Sequence, residues 1–370
     1  MRVLHLLSSA GFYGAEAMAA ELVHQLHRMG VTVDVGVFDN AGRGDRRILD
    51  IAASHIQEGI VIPCQGQLDA SAVATLRRYV KRREPDLIHS HAYKTTFYGL
   101  LARWRTSCRL VATYHNWLTH TATLRFYMAL DKRLARHCDA AVAVSGQVAL
   151  ALRPHLPSER LHRVGNGIDT EMYRRSIPVA DAKRALGLGD RILVGFVGRL
   201  SSKKGLSYLL RALVTLPPAV HAVIVGDGDY RDAVIREAQL LNLVGRVHLL
   251  GVRNDVRPIY AALDIFVLPS ESEAFPMVVL EAMASGLPVV ATDVGDTAQI
   301  VEDGLSGRVV PARDASALAR ALSEFVNDRE HAQRIGAAAR QRVVTCFSSA
   351  QMADSYLDIY NRVLLSPTGA

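Results

Sequence analysis

Cysteine is scarce in this sequence, with only four residues among 370. Cys64, Cys108, Cys138 and Cys346 lie far apart, without the short spacing of metal-ligating or redox-active pairs. A cysteine-based metal site and a dithiol redox motif are therefore not indicated. We expect free thiols, buried as small apolar groups, in a protein of the reducing cytoplasm.

Long hydrophobic runs are also missing. No stretch reaches the roughly 18 apolar residues that a membrane-spanning helix requires. The segment Val3–Leu7 follows Arg2 and resembles the start of a signal peptide, but it is short and contains His5. A first buried strand is the better interpretation. With 49% hydrophobic and 21% charged residues, the chain is expected to be globular.

The G-x-G-x-x-G fingerprint of dinucleotide-binding enzymes is absent as well. The glycine-rich turn at 11–16 reads G-F-Y-G-A-E, and the turn after Val197 lacks the required spacing too. An oxidoreductase is therefore disfavoured. Asp227 and Asp229 could hold a divalent metal beside a nucleotide. Aspartates that cap a turn explain this pair equally well, so a metal is disfavoured.

The net charge of +7 comes from basic residues that cluster in the first half of the chain. Three interpretations remain open: solvated helix faces, an anionic membrane surface, or a nucleic-acid surface. Nucleic acid is the weakest partner, because no stacking aromatic residues interleave with a basic motif. A membrane contact is supported only by apolar residues near Trp104, which a core helix would show as well. The clusters are Arg77, Arg78, Lys81, Arg82 and Arg83; Arg103, Arg105 and Arg109; and Lys132, Arg133 and Arg136.

The chain alternates short apolar runs with helix-like periodicity, which predicts parallel α/β architecture. Strands are predicted at 3–7, 31–38, 60–63, 87–89, 109–113 and 140–144 in the first half. After a turn-rich segment at 164–169 the pattern restarts, with strands at 192–197, 222–225, 247–249, 266–268 and 289–292. Two Rossmann-like domains facing a cleft are expected. A final helix at 348–365 either packs on the second domain or crosses back to the first.

The segment from 266 to 292 combines a strand, a loop, a helix and a second strand. Pro276 fits the first helical position, so we expect the helix to open near Phe275, and Gly286 suits a left-handed cap. Glu273 would then lie in a loop at the carboxyl end of a strand, where α/β sheets bind ligands. Glu281 would lie on the helix. The alternative is that both are solvated helix-end charges, with Glu281 facing water.

Two further loops suit a phosphate group. The segment V-G-R-L-S-S-K-K-G at 197–205 follows a predicted strand and offers Arg199, Lys203 and Lys204 together with exposed amides. A basic surface loop is the alternative. The segment V-G-D-G-D at 225–229 also ends a strand, and Gly226 would permit close backbone approach to a ligand.

These pieces together resemble the retaining glycosyltransferases of family 4 over nearly the whole chain. The resemblance rests on G-x-x-G-A-E at 11–16, T-Y-H-N at 113–116, V-S at 144–145, N-G-I-D at 166–169, G-R-L-S-S-K-K-G at 198–205, V-G-D-G at 225–228, E-A-F-P-M-V-V-L-E at 273–281 and E-D-G-L-S-G at 302–307. It implies a GT-B fold with an acceptor-binding domain at 1–165 and a nucleotide-sugar domain at 166–347. Residues 348–370 would form a helix that packs back toward the first domain.

The resemblance also implies roles for residues of the second domain. Arg199 and Lys204 match the basic pair that grips the donor diphosphate and neutralises the leaving group. Glu281 matches the carboxylate that hydrogen-bonds the donor ribose, and Glu273 the one that meets the sugar hydroxyls. Gly198 and Gly226 belong to the same donor-binding loops. The backbone of Phe275, Pro276 and Met277 would contact the sugar or the phosphate.

In the first domain, Gly14 matches the turn near the diphosphate and the acceptor, and Gly11 matches the acceptor side of that turn. His115 matches a histidine near the transferred sugar, although a histidine at a strand end is often only a turn residue. His89 and His91 are secondary candidates.

The sequence departs from the family pattern in three places. Asp296 stands where a second glycine is frequent, and Gln299 where a glutamate is common. Pro276 stands where glycine is common, which leaves one fewer backbone N–H for the sugar.

The implied function is retaining transfer of a sugar from a nucleoside-diphosphate sugar, with UDP favoured by family frequency alone. The acceptor would be a saccharide or a lipid-linked molecule in cell-surface polysaccharide or glycolipid synthesis. No metal or other cofactor is expected, and the enzyme would be cytoplasmic or peripheral on the inner face of the membrane. Two alternatives stay open: a nucleotide-sugar epimerase or hydrolase of the same fold, and a non-catalytic nucleotide-sugar-binding protein.

Overall fold

The computed structural model describes residues 1–8, 11, 14–42, 44–66, 68–91, 93–115 and 122–366, with the backbone alone at 122–127. These residues form two compact units. The first comprises Met1–Gly167 and Ser349–Ala370, and the second comprises Ile168–Ser348.

The first unit is built on a seven-stranded sheet in the order β3-β2-β1-β4-β5-β6-β7, in which every pairing is parallel. Successive side chains of a strand point to opposite faces. In the first strand, Val3 and Leu7 therefore join one apolar cluster, while Leu4 and Leu6 join another on the opposite face. The strands are β1 Arg2–Leu7, β2 Thr32–Asn40, β3 Glu58–Cys64, β4 Leu87–Ser90, β5 Arg109–Tyr114, β6 Ala140–Ala143 and β7 Leu161–Arg163.

Six helices connect these strands, and among the described residues two helix starts have a side-chain cap. Asp69 accepts hydrogen bonds from the amides of Ser71 and Ala72, and Ser145 accepts one from Val148. The helix between β2 and β3 has only five residues, and after it the Gln57 amide donates to the carbonyl of Val33 in β2. The helices are α1 Gly14–Arg28, α2 Arg47–Ile51, α3 Ala70–Arg83, α4 Tyr93–Arg103, α5 Ala122–Ala135 and α6 Gly146–Leu152.

The second unit has a six-stranded parallel sheet in the order β10-β9-β8-β11-β12-β13. Its strands are β8 Ile192–Val197, β9 Val220–Val225, β10 Val247–Gly251, β11 Ile265–Leu268, β12 Val289–Thr292 and β13 Arg308–Val310. Its helices are α7 Val179–Ala185, α8 Leu206–Thr215, α9 Arg231–Leu240, α10 Arg257–Ala262, α11 Met277–Ala284, α12 Thr297–Ile300, α13 Ala315–Asn327 and α14 Arg329–Cys346. The prediction of two Rossmann-like α/β units is confirmed.

The last helix, α15 Ser349–Leu365, packs on the first unit. Tyr356 and Tyr360 are fully buried in the same cluster as the apolar face of α1. At the start of α15, the Gln25 side-chain amide donates to Ser349 Oγ at 3.1 Å. Of the two placements left open for this helix, the crossing back to the first unit is the observed one.

Each sheet contains one point at which the strand order reverses. In the first unit it lies between β1 and β4, and in the second between β8 and β11. Loops after the carboxyl ends of such neighbouring strands diverge and leave a crevice, which is where open α/β sheets bind ligands. Three of the predicted site residues lie in the loops that follow the strands of the second reversal point, namely Arg199 and Lys204 after β8 and Glu273 after β11.

Candidate functional site

The reversal point of the second unit brings two predicted residues into direct contact. Glu273 lies in the loop after β11, and its Oε1 accepts hydrogen bonds from Lys204 Nζ and Ser270 Oγ, both at 2.6 Å. The side chains of Lys204 and Glu273 are 22% and 12% exposed. The sequence did not point to Ser270, although it stands only three residues before Glu273. A ligand at this point would meet one cation and one carboxylate already held together.

Arg199, in the loop after β8, is exposed and forms no ion pair or side-chain hydrogen bond within the described residues. The loop itself is fixed by its backbone. The Leu200 amide donates to the carbonyl of Asp227 at 2.9 Å, and the Glu271 amide donates to the carbonyl of Lys203 at 2.7 Å. A rigid loop therefore presents a guanidinium group that can bind an anion.

Glycines let three loops of this site approach one another. At Gly226, with φ of +127°, a Cβ would lie 2.0 Å from the carbonyl oxygen of Gly198. At Gly295, a Cβ would lie 2.3 Å from the carbonyl oxygen of Glu273. The close approach predicted at Gly226 is thus to the protein's own backbone. Only glycine fits both the space and the backbone conformation at these positions.

Gly205 offers a test of this packing. Its φ is +65°, and a Cβ would lie 1.9 Å from the carbonyl oxygen of Pro269, so Gly205→Ala combines backbone strain with a steric clash. We expect a loss of about 2–4 kcal/mol in the free energy of unfolding, measured in urea. Gly187 has a similar φ of +70° with nothing within 4 Å. Gly187→Ala should therefore cost only about 1 kcal/mol. Equal losses in the two variants would contradict the steric argument.

Glu281 lies on the second turn of α11 and is half-buried. Its Oε2 accepts a hydrogen bond from the Tyr260 hydroxyl at 2.7 Å. Burial raises the pKa of the Glu281 carboxyl, and hydrogen bonds from Tyr260 and Tyr173 oppose that rise. The alternative of a water-facing charge is wrong for Glu281. Neither tyrosine carried a signal in the sequence, because each lies in another part of the chain.

The start of α11 differs from the expectation in one detail. The helix begins at Met277, and Pro276 precedes it in an extended conformation, with φ of −77° and ψ of 105°. Pro276 is therefore the N-cap and not the first helical residue. Phe275 and Pro276 are buried, and the adjacent loop is tied down because the Asp296 amide donates to the carbonyl of Ala274 at 3.0 Å. The first amides of α11 have no carbonyl partner within the helix, as at any helix start.

Of the two unusual residues in that loop, Asp296 is buried and Gln299 is exposed. Their side chains are 3.5 Å apart, with the Gln299 amide donating to Asp296 Oδ1. Asp296 thus helps to hold the loop that packs against the backbone of Glu273.

In the first unit, loops after β1, β4 and β5 enclose a cavity of about 220 Å³. His91 and His115 line it, and Gly14 begins α1 one residue before the lining residue Ala15. Gly11 is buried in the preceding turn. Asn116, the last residue of the T-Y-H-N motif, lies outside the described residues. The full lining comprises Leu7, Ser8, Ala15, Glu16, His91, Tyr93, Thr113, Tyr114, His115 and Asp131.

Two groups of buried side-chain hydrogen bonds include residues that line this cavity. His5 Nδ1 and His91 Nε2 are 3.1 Å apart. His89 Nε2 bonds Thr113 Oγ1 at 2.7 Å, and His89 Nδ1 bonds the Tyr360 hydroxyl at 2.6 Å. The secondary candidate His89 therefore bonds a residue of α15, whereas the side chain of His91 bonds His5 of β1. His5 was considered only as part of the first strand.

Burial lowers the pKa of His5, His89 and His91, and also that of His115 in the cavity wall. The pKa of His5 falls to about 3 and that of His115 to about 4, while those of His89 and His91 fall well below the usual value. All four are neutral at pH 7 because an imidazolium would lose its hydration. His115 can therefore take part in hydrogen bonding but does not supply positive charge.

Three of these histidines also lie close enough together to bind one metal ion. One ring nitrogen from each of His5, His89 and His91 lies within 4.8 Å of the others. Both nitrogens of His89 already bond Thr113 and Tyr360, so a metal would have to displace one of these partners. The arrangement favours a hydrogen-bonded core over a metal centre.

Comparison with known proteins matches both halves of the chain. Residues 12–172 match the family described as Glycosyltransferase Family 4, and residues 180–342 match Glycosyl transferases group 1. Alpha-maltose-1-phosphate synthase of Mycolicibacterium smegmatis is 32% identical over 305 residues, which cover 75% of this chain and 79% of that protein. This chain belongs to glycosyltransferase family 4. The resemblance inferred from its motifs is confirmed.

Other similar proteins extend the match. The lipopolysaccharide core biosynthesis mannosyltransferase LpcC of Rhizobium leguminosarum is 29% identical, over 86% of this chain and 94% of that protein. The crystal structure of Anabaena Alr3699/HepE in complex with UDP-glucose superposes with a TM-score of 0.85 at 26% identity, covering 98% and 100% of the two chains. In the described part of this family 4 chain, no helix has the length and apolar character needed to cross a membrane.

Proposed function

We propose that this family 4 glycosyltransferase moves a sugar from a UDP-sugar to a saccharide or lipid-linked acceptor, with retention at the anomeric carbon. The observation that carries the proposal is the grouping of Arg199, Lys204 and Glu273 where the strand order reverses between β8 and β11. Two cations and one carboxylate in adjoining loops match the two ends of a donor, its diphosphate and its sugar. The UDP-glucose complex of the Anabaena relative supports the choice of donor.

The cations would act on the leaving group. As the bond between the anomeric carbon and the diphosphate oxygen breaks, negative charge grows on the diphosphate. Arg199 and Lys204 would stabilise that charge, together with the N-terminus of α11. No metal ion is needed for this neutralisation. The acceptor hydroxyl would attack the same face of the sugar, and its proton would pass to the departing phosphate oxygen.

The two carboxylates would have different tasks. Glu273 would accept hydrogen bonds from the sugar hydroxyls while it orients Lys204. Glu281 would accept hydrogen bonds from the ribose, and the Tyr260 bond at 2.7 Å holds its carboxylate in place beforehand. Loss of Glu281 should therefore affect donor binding, whereas loss of Glu273 should affect turnover.

The first unit would bind the acceptor. Its cavity beside His115 and the turn that contains Gly11 and Gly14 lie at the reversal point of the first sheet. A neutral His115 suits a hydrogen bond to a hydroxyl group of either substrate. Synthesis of a cell-surface polysaccharide or glycolipid in the cytoplasm is the setting that we propose for this reaction.

The product distinguishes this reaction from the two alternatives. The protein is incubated with UDP-, GDP- and ADP-sugars, and nucleotide release should be faster when a saccharide or lipid-linked acceptor is added. The acceptor should gain one sugar, with the same anomeric configuration as in the donor. Acceptor-independent release of free sugar or an altered nucleotide sugar would indicate a hydrolase or an epimerase. Donor binding without any product would indicate a non-catalytic protein.

Arg199→Ala tests the diphosphate assignment. Because a charge-assisted bond to phosphate is lost, we expect the affinity for UDP to fall by about 10-fold to 100-fold, measured by calorimetry. Arg191→Ala is the matched control, since Arg191 is also exposed and precedes the opposite end of the same β8 strand. Unchanged UDP affinity in Arg199→Ala would remove this residue from the diphosphate site.

A further inference from the structure

An exposed tryptophan marks one surface of the first unit. Trp104 follows the end of α4 and is 61% exposed, and Leu101, one turn earlier, is 39% exposed. The guanidinium carbons of Arg105 and Arg77 lie 4.8 Å and 5.8 Å from the centre of the Trp104 ring. A large aromatic side chain held at the surface between two cations is typical of an interaction site.

The same tryptophan lines an open groove of about 640 Å³. The groove runs along the ends of α4 and α5, and Arg136 and Arg160 also line it. We call Arg77, Leu101, Trp104, Arg105, Arg136 and Arg160 the tryptophan–arginine surface.

Positive charge on this surface is not neutralised by carboxylates. Asp139 lies in the groove, but it is already paired with Arg103 and with Arg109. Among the residues that the structure describes, Arg77, Arg105, Arg136 and Arg160 form no ion pair, although Arg136 donates a hydrogen bond to His137. An approaching anionic surface would therefore meet four available guanidinium groups.

Other arginines of the first unit behave differently. Arg83 is paired with Asp34 at 2.9 Å, and Arg82 is paired with Glu58. These charges are used within the unit. The structure thus divides each basic cluster of the sequence. Arg77 contacts Trp104 while Arg82 and Arg83 are paired. Arg105 contacts Trp104 while Arg103 and Arg109 are paired.

The backbone of Arg105 adopts a conformation that is uncommon for arginine. Its φ is +63°, in the left-handed region that follows a helix end and that favours glycine. An exposed arginine there gains no packing in the core. Its contact with the Trp104 ring is the interaction that this conformation provides.

We propose that the tryptophan–arginine surface docks the first unit on an anionic lipid bilayer. Trp104 and Leu101 would enter the headgroup region, and the four arginines would bind lipid phosphates. A bilayer fits better than a nucleic acid, because a single indole beside an aliphatic side chain offers an apolar anchor and not a series of stacking positions. The docking does not depend on which sugar the enzyme transfers.

The test uses the full chain and two kinds of vesicle. One contains phosphatidylcholine alone, and the other also contains about 30 mol% of the anionic lipid phosphatidylglycerol. We expect co-sedimentation with the anionic vesicles at low salt, little with neutral vesicles, and release at high salt. In a Trp117→Phe background, Trp104 becomes the only tryptophan. Its fluorescence should shift to shorter wavelength on anionic vesicles.

Two variants locate the contact. The double variant Arg136→Gln/Arg160→Gln should partition onto anionic vesicles about 25-fold more weakly than the wild type, roughly fivefold for each arginine. Arg28→Gln, an exposed arginine at the end of α1, should change it less than twofold. Equal binding to neutral vesicles, no binding to anionic vesicles, or wild-type partitioning of the double variant would each overturn the proposal. These measurements need no sugar transfer, so they are independent of the proposed reaction.

Discussion

Glu273→Gln is expected to lower the turnover number by about 100-fold or more, because the negative charge that meets the sugar and orients Lys204 is lost. Glutamine keeps the size of the side chain and can still accept the hydrogen bond from Ser270, which is 2.6 Å long in the wild type. Lys204 no longer has an anionic partner and should bind the diphosphate at least as well. We therefore expect donor affinity that is unchanged or higher. Initial-rate kinetics together with calorimetric UDP binding measure both quantities.

Glu271→Gln is the matched control for this prediction. Glu271 lies two residues earlier in the same loop, where it accepts from the Tyr208 hydroxyl at 3.2 Å and pairs with Arg313 at 2.8 Å. Its loss should leave turnover within a few-fold of wild type. Near-normal turnover of Glu273→Gln would refute the role proposed for Glu273. Equal losses in both variants would mean that loop order, and not the charge at 273, controls the rate.

Acidification from pH 7 to pH 5 should destabilise the first unit by several kcal/mol. The pKa of His5 is about 3 and that of His115 about 4 in the folded protein, against about 6.5 when unfolded, and His89 and His91 are also lowered. Above pH 6.5 neither state binds these protons, so stability is fully present. Below pH 6.5 the unfolded state binds more protons, and stability falls with pH. His5 and His115 each contribute about 2 kcal/mol over this interval, and His89 and His91 act in the same direction.

Hydrogen exchange followed by mass spectrometry can test this effect, because it reports the opening of each unit separately. His91→Gln removes one buried imidazole, and its pH-dependent loss of stability should be smaller than in the wild type. His27→Gln, at an exposed position on α1, is the control and should show the full loss. A loss in His91→Gln as large as that of the wild type would contradict the assignment to the buried histidines.

Local patterns predicted most of the elements. The limits of β8 and β12 agree with the predicted residues. Buried parallel strands appear in the sequence as continuous apolar runs. Capping residues and glycines mark the ends of the helices between them. The three-residue strands β7 and β13 were missed, because so short a segment has no periodicity of its own. Pro276 was placed one position too far into its helix, since proline suits both the first turn and the residue before it.

Family motifs extended that prediction to individual side chains. They singled out Arg199, Lys204, Glu273 and Glu281, each at the end of a predicted strand or on the helix that follows. Such positions can be read along the chain, because the carboxyl ends of parallel strands share one edge of the sheet.

The partners of these side chains could not be read in the same way. Glu273 and Lys204 are 69 residues apart, Tyr260 and Glu281 are 21 apart, and Tyr360 reaches His89 across 271 positions. Each pair is joined by crossover connections whose geometry depends on the packing of whole helices on a sheet. The linear order of residues thus specifies the two α/β units and the loops that carry the chemistry. Tertiary packing decides that Lys204 holds Glu273, that Glu281 is anchored and half-buried, and that the histidines are kept neutral.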